Sequence, residues 1–204
     1  MDFFEKHYFL LKKLHVITGL IPVGVFLLVH LTVNSYALQG AEIYNQRVAF
    51  MEGLPFLTFL EIFLIAVPIL YHALFGLWIV YVAKNNVLQF SYFRNWSFYL
   101  QRITAIITFL FLAYHVYTTR LAKLFNGVEI GYDFMSGILS SPAVLAFYII
   151  GVVAAVYHFA NGLWAFLIDM GITLGPHSQK VSSIATSILF IVLSILSIQI
   201  LLAF

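Results

Sequence analysis

Residues Ile62 to Ala83 read IFLIAVPILYHALFGLWIVYVA, with no Asp, Glu, Lys or Arg among them. About 20 predominantly apolar residues in a helix are enough to cross the hydrocarbon core of a bilayer. A helix also satisfies every backbone polar group it carries into lipid. Working outward from this stretch, four other runs have the same character. Spans are expected at 14–33, 56–83, 98–119, 143–168 and 181–204. The composition agrees. Of 204 residues, 63% are hydrophobic, the mean hydropathy is +1.01, and 9% are charged, against roughly 25% in a soluble domain. A buried bundle of a soluble protein would need polar faces on these helices, and they are absent. The expected fold is an all-α integral membrane protein, one domain over 1–204, with five transmembrane helices.

The chain has no cysteine, which excludes disulfides, thiolate-held iron–sulfur clusters and haem attached through a C-x-x-C-H motif. The formal charge of +2 gives no reason to expect nucleic acid as a partner. The apolar run from Leu14 is longer than a signal-peptide core, so no cleaved signal is expected. Lysine and arginine distribution sets orientation. Lys6, Lys12, Lys13, Lys84, Arg94, Arg102 and Lys180 fall on one side, and Arg47, Arg120 and Lys123 on the other. This puts the N-terminus in the cytoplasm and the C-terminus outside. Ala41–Met51 is expected to form a short interfacial helix, and Asn126–Ser141, with three glycines, an outer loop.

The sequence repeats itself. Tyr71-His72-Ala73-Leu74-Phe75-Gly76-Leu77-Trp78 and Tyr157-His158-Phe159-Ala160-Asn161-Gly162-Leu163-Trp164 share the pattern YHxxxGLW, 86 residues apart. Ile17-Thr18 precedes His30 much as Ile103-Thr104 precedes His115, with one residue of slippage. Two hairpins are copied in the same orientation, as in parallel transporter repeats. The fifth span stands outside the repeat.

Of seven histidines, His30, His72, His115 and His158 lie one in each of the first four spans. Ionisable residues inside a membrane are rare and usually functional. A single one is as readily a packing residue in a helix interface, but four in a duplicated frame point to a shared role. At 1.5 Å per residue, His30 and His115 lie ~7 Å from the outer ends of their spans, and His72 and His158 ~24 Å. Counting from the cytoplasmic ends shrinks the difference to ~5 Å but keeps the order. One four-histidine site would need a single depth. Two bis-histidine sites stacked across the bilayer fit better, with His30 and His115 on the outer iron and His72 and His158 on the inner one. A flat haem takes one ligand from each side, and a helix bundle supplies them from facing helices. The first four spans are thus expected to form a di-haem four-helix bundle, with the fifth peripheral. Gly76 and Gly162 lie one turn beyond His72 and His158, where a missing side chain makes room for a macrocycle or serves close helix packing.

Together these residues resemble a known family. The carrying segments are Leu14-His15, Gly19-Leu20-Ile21-Pro22-Val23-Gly24 with His30, Leu54-Pro55-Phe56, and Leu60-Glu61-Ile62-Phe63. Further along stand Ala83-Lys84-Asn85-Asn86-Val87, Phe93-Arg94-Asn95-Trp96, Leu100-Gln101-Arg102, Ser140-Ser141-Pro142-Ala143 and His158 through Trp164. From end to end the chain resembles the five-helix, di-haem cytochrome b subunit of succinate:menaquinone oxidoreductase of Gram-positive bacteria. The resemblance implies two haem b groups, menaquinone as substrate, and placement in the bacterial cell membrane. It also implies flavoprotein and iron–sulfur subunits docked on the cytoplasmic face, succinate being oxidised on the former. Quinol:fumarate reductases of the same family run the reaction the other way.

Two other functions stay open on the residues alone: a transporter or proton channel using a histidine relay, and a passive anchor whose haems are structural. Arg102 and His15, at the cytoplasmic ends of the third and first spans, are candidates for the propionates of the inner haem. Arg102 is also read as an interfacial anchor. Two haem layers make a wire toward the outside, so quinone reduction is expected near the outer haem. Glu61, about one turn inside the second span, is the candidate proton donor there. Its alternative is a contact with head groups or with a helix start.

Overall fold

The computed structural model describes residues 3–204. Five helices are long and apolar enough to cross a membrane: Lys6–Gln39, Leu57–Val82, Phe93–Asn126, Pro142–Asp169 and Pro176–Leu202. Among the described residues there is no strand. Three of the helices outrun their apolar cores at the N-terminal side. The first is already helical at Phe3, the third starts at Phe93 and the fifth at Pro176. Lys12, Lys13, Arg94 and Lys180 therefore lie on helices, not in loops. Pro142 and Pro176 open the fourth and fifth helices, where a missing N–H costs nothing.

The first four helices form a ring of neighbours: first with second, third with fourth, second with third, and first with fourth. The fifth packs along the fourth and touches the C-terminal half of the first. Its amphipathicity is inside out. Ile184, Ile188, Ile191, Val192 and Ile195 are more than half exposed, as lipid-facing residues should be, while Thr186, Ser194 and Ser197 are buried. Lipid offers no hydrophobic drive between helices, so small and hydroxylated residues that permit close approach line the interfaces. Gly151 and Ala154 on the fourth helix are buried likewise, and a Cβ on Gly151 would collide with the Phe111 ring of the third.

The helices are irregular at defined places. Pro22 breaks the first between Leu20 and Pro22, because its nitrogen cannot donate to the carbonyl of Thr18. The second runs as a π-helix over Glu61–Ala66, just ahead of Pro68, whose nitrogen cannot donate to the carbonyl of Leu64 as a regular α-helix would require. The third turns π-helical at Tyr117–Leu121. Both π segments lie at the end of the bundle that bears the C-terminus.

That end is capped by the loops. Ala41–Glu52 is helical as expected. The segment expected to be a loop after Asn126 contains a further helix, Tyr132–Leu139, whose Met135 and Leu139 are buried against Phe111, Tyr148 and Leu201. Phe134, Met135, Ile138 and Leu139 recur at helical spacing, a pattern confined to eight residues that also include Gly137. Tyr44 packs edge-on to Tyr132 and to Phe204. Asn45 accepts from the backbone N–H of Tyr132 at 2.9 Å, and Tyr132 donates to the carbonyl of Ala203. Burial pushes the Tyr44 hydroxyl up to about 12. At the opposite end Lys13 pairs with Asp169 at 2.6 Å, tying the first helix to the end of the fourth.

Candidate functional site

The bundle brings the four intramembrane histidines together as two pairs. The rings of His72 and His158 are 6.0 Å apart, centre to centre, with planes at 83°. Those of His30 and His115 are 5.8 Å apart at 77°. Each pair draws one residue from each hairpin.

The Nδ1 atoms of the first pair are held identically. His72 Nδ1 donates to the carbonyl of His15 at 2.8 Å, and His158 Nδ1 donates to the carbonyl of Gln101 at 3.1 Å. Residues 15 and 101 are 86 apart, as are 72 and 158, so the duplication written in the sequence reappears in the hydrogen bonds. Thr18 and Thr104, also 86 apart, each donate back to their own helices one turn away. A carbonyl on Nδ1–H fixes the tautomer and turns Nε2 toward a metal. In the second pair His115 Nδ1 lies 3.4 Å from the hydroxyl of Tyr148. The His115 carbonyl accepts from Thr119 at 2.5 Å and Thr118 at 3.3 Å, inside the π turn. The His30 carbonyl accepts from Asn34 at 2.8 Å.

An imidazole nitrogen sits about 2.0–2.1 Å from a bound metal such as zinc, so two rings on opposite sides of one metal are centred about 6 Å apart. Both pairs meet that spacing. Among the described residues no cluster of three or more His, Cys, Asp or Glu forms a polydentate metal site. The donors come in twos, which suits a metal whose other positions are filled by a planar macrocycle. The buried Nδ1 of His15 has no hydrogen-bond partner, a polar atom left for a group between the helices.

The other expected residues are placed as follows. His15 is well inside the first helix, its ring stacked on that of His72 at 4.1 Å and 9°. Gly76 faces it: a Cβ there would lie 3.1 Å from His15 Cε1. Gly162 faces Gln101 in the same manner, at 3.3 Å from Nε2. Arg102 is buried, donating to Asn85 Oδ1 at 2.6 Å with its guanidinium 3.4 Å from the centre of the Phe98 ring. Glu61 does not stand alone, because Arg120 forms an ion pair with it, joining the two π segments across the second and third helices. A second pair, Lys123 with Glu52, lies beside it.

Sequence reasoning did not single out Gln101 and Asn161, which hydrogen-bond beside His158, and it counted Arg120 only as a loop charge. Signals existed. Asn161 is a polar amide in an apolar run, at the place where the other YHxxxGLW copy has Phe75, and Gln101 is the repeat-mate of His15. Nothing local pairs Arg120 with Glu61, since helices from different hairpins supply them.

Comparison with known proteins accords with this geometry. Residues 85–197 match the model of the succinate dehydrogenase/fumarate reductase transmembrane subunit family. The chain is 49% identical over 196 residues, 96% of each chain, to the succinate dehydrogenase cytochrome b558 subunit of Bacillus subtilis (strain 168). It is also 38% identical over 68 residues to the succinate dehydrogenase hydrophobic membrane anchor subunit of Halobacterium salinarum, a match spanning 33% of this chain and 51% of that one. A five-helix membrane bundle with histidines paired across a duplicated core, matched along nearly its whole length, belongs to the succinate dehydrogenase/fumarate reductase transmembrane subunit family.

Proposed function

We propose that this chain is the membrane-anchor cytochrome b of a succinate dehydrogenase, carrying two b haems and delivering electrons to menaquinone. The observation that carries the reading is the pairing of four histidines from four helices at two levels of the bundle. The likeness to a cytochrome b558 subunit over 96% of both chains supports it. His72 and His158 hold the inner haem, and His30 and His115 the outer one. When bound, the haems supply one-electron transfer. The chain's residues do the rest. The carbonyls of residues 15 and 101 orient the inner imidazoles. Gly76 and Gly162 let the helices close beside the inner haem. Arg102 and His15 supply polar groups on its propionate side. The N-terminal face is cytoplasmic, where flavoprotein and iron–sulfur subunits dock.

Menaquinone binds at the other end, near the outer haem. Glu61 passes protons there, and its ion pair with Arg120 sets where the carboxylate points. With protons taken from outside and electrons moving outward, the membrane potential contributes ~2.3 kcal/mol per charge per 100 mV. Succinate added to membranes holding the assembled complex should reduce b-type haem, seen as a sharpened Soret band and a reduced α-band. In sealed vesicles an uncoupler should slow succinate-driven menaquinone reduction. Membranes without a haem spectrum would leave a histidine-relay transporter as the better reading. A haem spectrum that ignores succinate and quinol would leave a passive anchor. Operation as a quinol:fumarate reductase would use the same residues in reverse.

A further inference from the structure

The two YHxxxGLW copies hang different side chains on one frame. In both, an imidazole donates through Nδ1 to the carbonyl of the residue 57 positions earlier, His72 to His15 and His158 to Gln101. In both, a glycine one turn on makes room for that earlier residue's side chain. Beyond this the copies part. The Gln101 amide returns a bond, Nε2 donating to the carbonyl of His158 at 3.0 Å. Its Oε1 accepts from Asn161 Nδ2 at 2.7 Å, and the same nitrogen donates to the carbonyl of Ser97 at 3.2 Å. The third and fourth helices are therefore joined by a closed circuit around His158. Carbonyl 101 takes the imidazole, side chain 101 takes carbonyl 158, and Asn161 fixes side chain 101. Among the described residues the first hairpin has no amide circuit of this kind, although carbonyl 11, the repeat-mate of carbonyl 97, accepts from the Tyr71 hydroxyl at 2.8 Å. Position 75 is Phe, and the side chain at 15 lies flat on the His72 ring.

Polar amides are costly in hydrocarbon unless bonded. Gln101 and Asn161 are polar at membrane depth and spend their donors on each other, on His158 and on Ser97. A packing role alone needs no amide, and position 75 in the other copy is filled by an apolar ring.

We infer that Gln101 and Asn161 are positioning residues for His158. They lock the fourth helix against the third so that carbonyl 101 stays on Nδ1–H and the ring keeps one orientation. His15 acts on the opposite imidazole by stacking. Two imidazoles of one kind, which would hold the inner haem, are thus kept in place by two different devices, and residue pair 15/101 would tune its properties. This rests on the proposed ligation by His72 and His158.

The test uses the full chain, haem-loaded, in isolated membranes. Gln101→Leu is expected to keep both haems, shift the midpoint potential of the inner haem and change its low-spin EPR signal, which reports axial imidazole orientation. The outer haem should keep its wild-type potential and signal. Asn161→Ala, which leaves the bond from Gln101 to His158 in place, should move the inner haem the same way by less. It decides the matter should Gln101→Leu fail to assemble. Wild-type inner signals in both variants overturn the inference, and so do equal shifts in both haems, which would mark a general packing element. His158→Ala separates the underlying reading. If it retains both haems, the ligand assignment is wrong whatever the clamp does.

Discussion

The two histidine pairs are built to different standards. At the inner pair the repeat keeps strict register, and both Nδ1 atoms rest on backbone carbonyls at 2.8 and 3.1 Å. At the outer pair the register slips by one residue and a π turn follows His115. The support for that ring is a side-chain hydroxyl at 3.4 Å. A backbone carbonyl cannot move without its helix, whereas a tyrosine can turn. The contrast places rigidity beside the N-terminal face and adaptability beside the loops. Among the described residues both π segments lie at the loop end, and such segments recur at functional sites. A fixed electron relay needs the first arrangement, and a site that admits and releases a quinone needs the second.

The largest effect that would break this comparison is loss of a haem. His30→Ala and His115→Ala should abolish one and the same haem, and His72→Ala and His158→Ala the other, judged by reduced-minus-oxidised spectra. Loss of the same haem from His30→Ala and His72→Ala would dissolve the two-layer arrangement. Next in size is the proton step. Glu61→Gln should lower menaquinone reduction by roughly 10²-fold, the lower end of general acid–base contributions, with both haem spectra intact. Arg120→Gln should give part of that loss. Unchanged turnover in Glu61→Gln would remove Glu61 from the pathway.

A smaller effect concerns the cap. The Tyr44 hydroxyl, ordinarily near 10, is pushed up to about 12 in the folded chain. Between those values the unfolded chain gives up a proton that the folded chain keeps. Its contribution is fully present below pH 10 and fades as pH rises toward 12, by up to about 2–3 kcal/mol. Thermal unfolding in detergent should show this alkaline loss in the wild type, and Tyr44→Phe should lessen it. Equal loss in both would mean that Tyr44 is hydrated. Smallest is Tyr148→Phe, which removes a long bond worth less than about 1 kcal/mol. The outer haem potential should move slightly, and the inner one not at all.

Much of this was readable in the sequence. Charge-free runs gave the five helices because no other structure hides a backbone from lipid. One histidine per helix at near-constant spacing gave the order of depths, and the rings of His30 with His115 and His72 with His158 do lie together. What resisted reading depends on distance between helices. The stacking of His15 on His72 follows from close packing at Gly76. The pairing of Glu61 with Arg120 joins residues of different hairpins. The helix Tyr132–Leu139 is too short for its apolar face to outweigh three neighbouring glycines.

The cross-hairpin pairing has a historical consequence. Every pair takes one imidazole from each copy, so a lone two-helix ancestor held half of each site and none complete. Two such ancestors side by side, related by an axis along the membrane normal, would have completed both at once as a homodimer. Each site would then have been symmetric, with whatever stood at the ancestral position 15/101 present on both sides. Within one chain the two halves are free to differ. His15 and Gln101 stand at equivalent places with different side chains, an asymmetry at one site that no homodimer can encode.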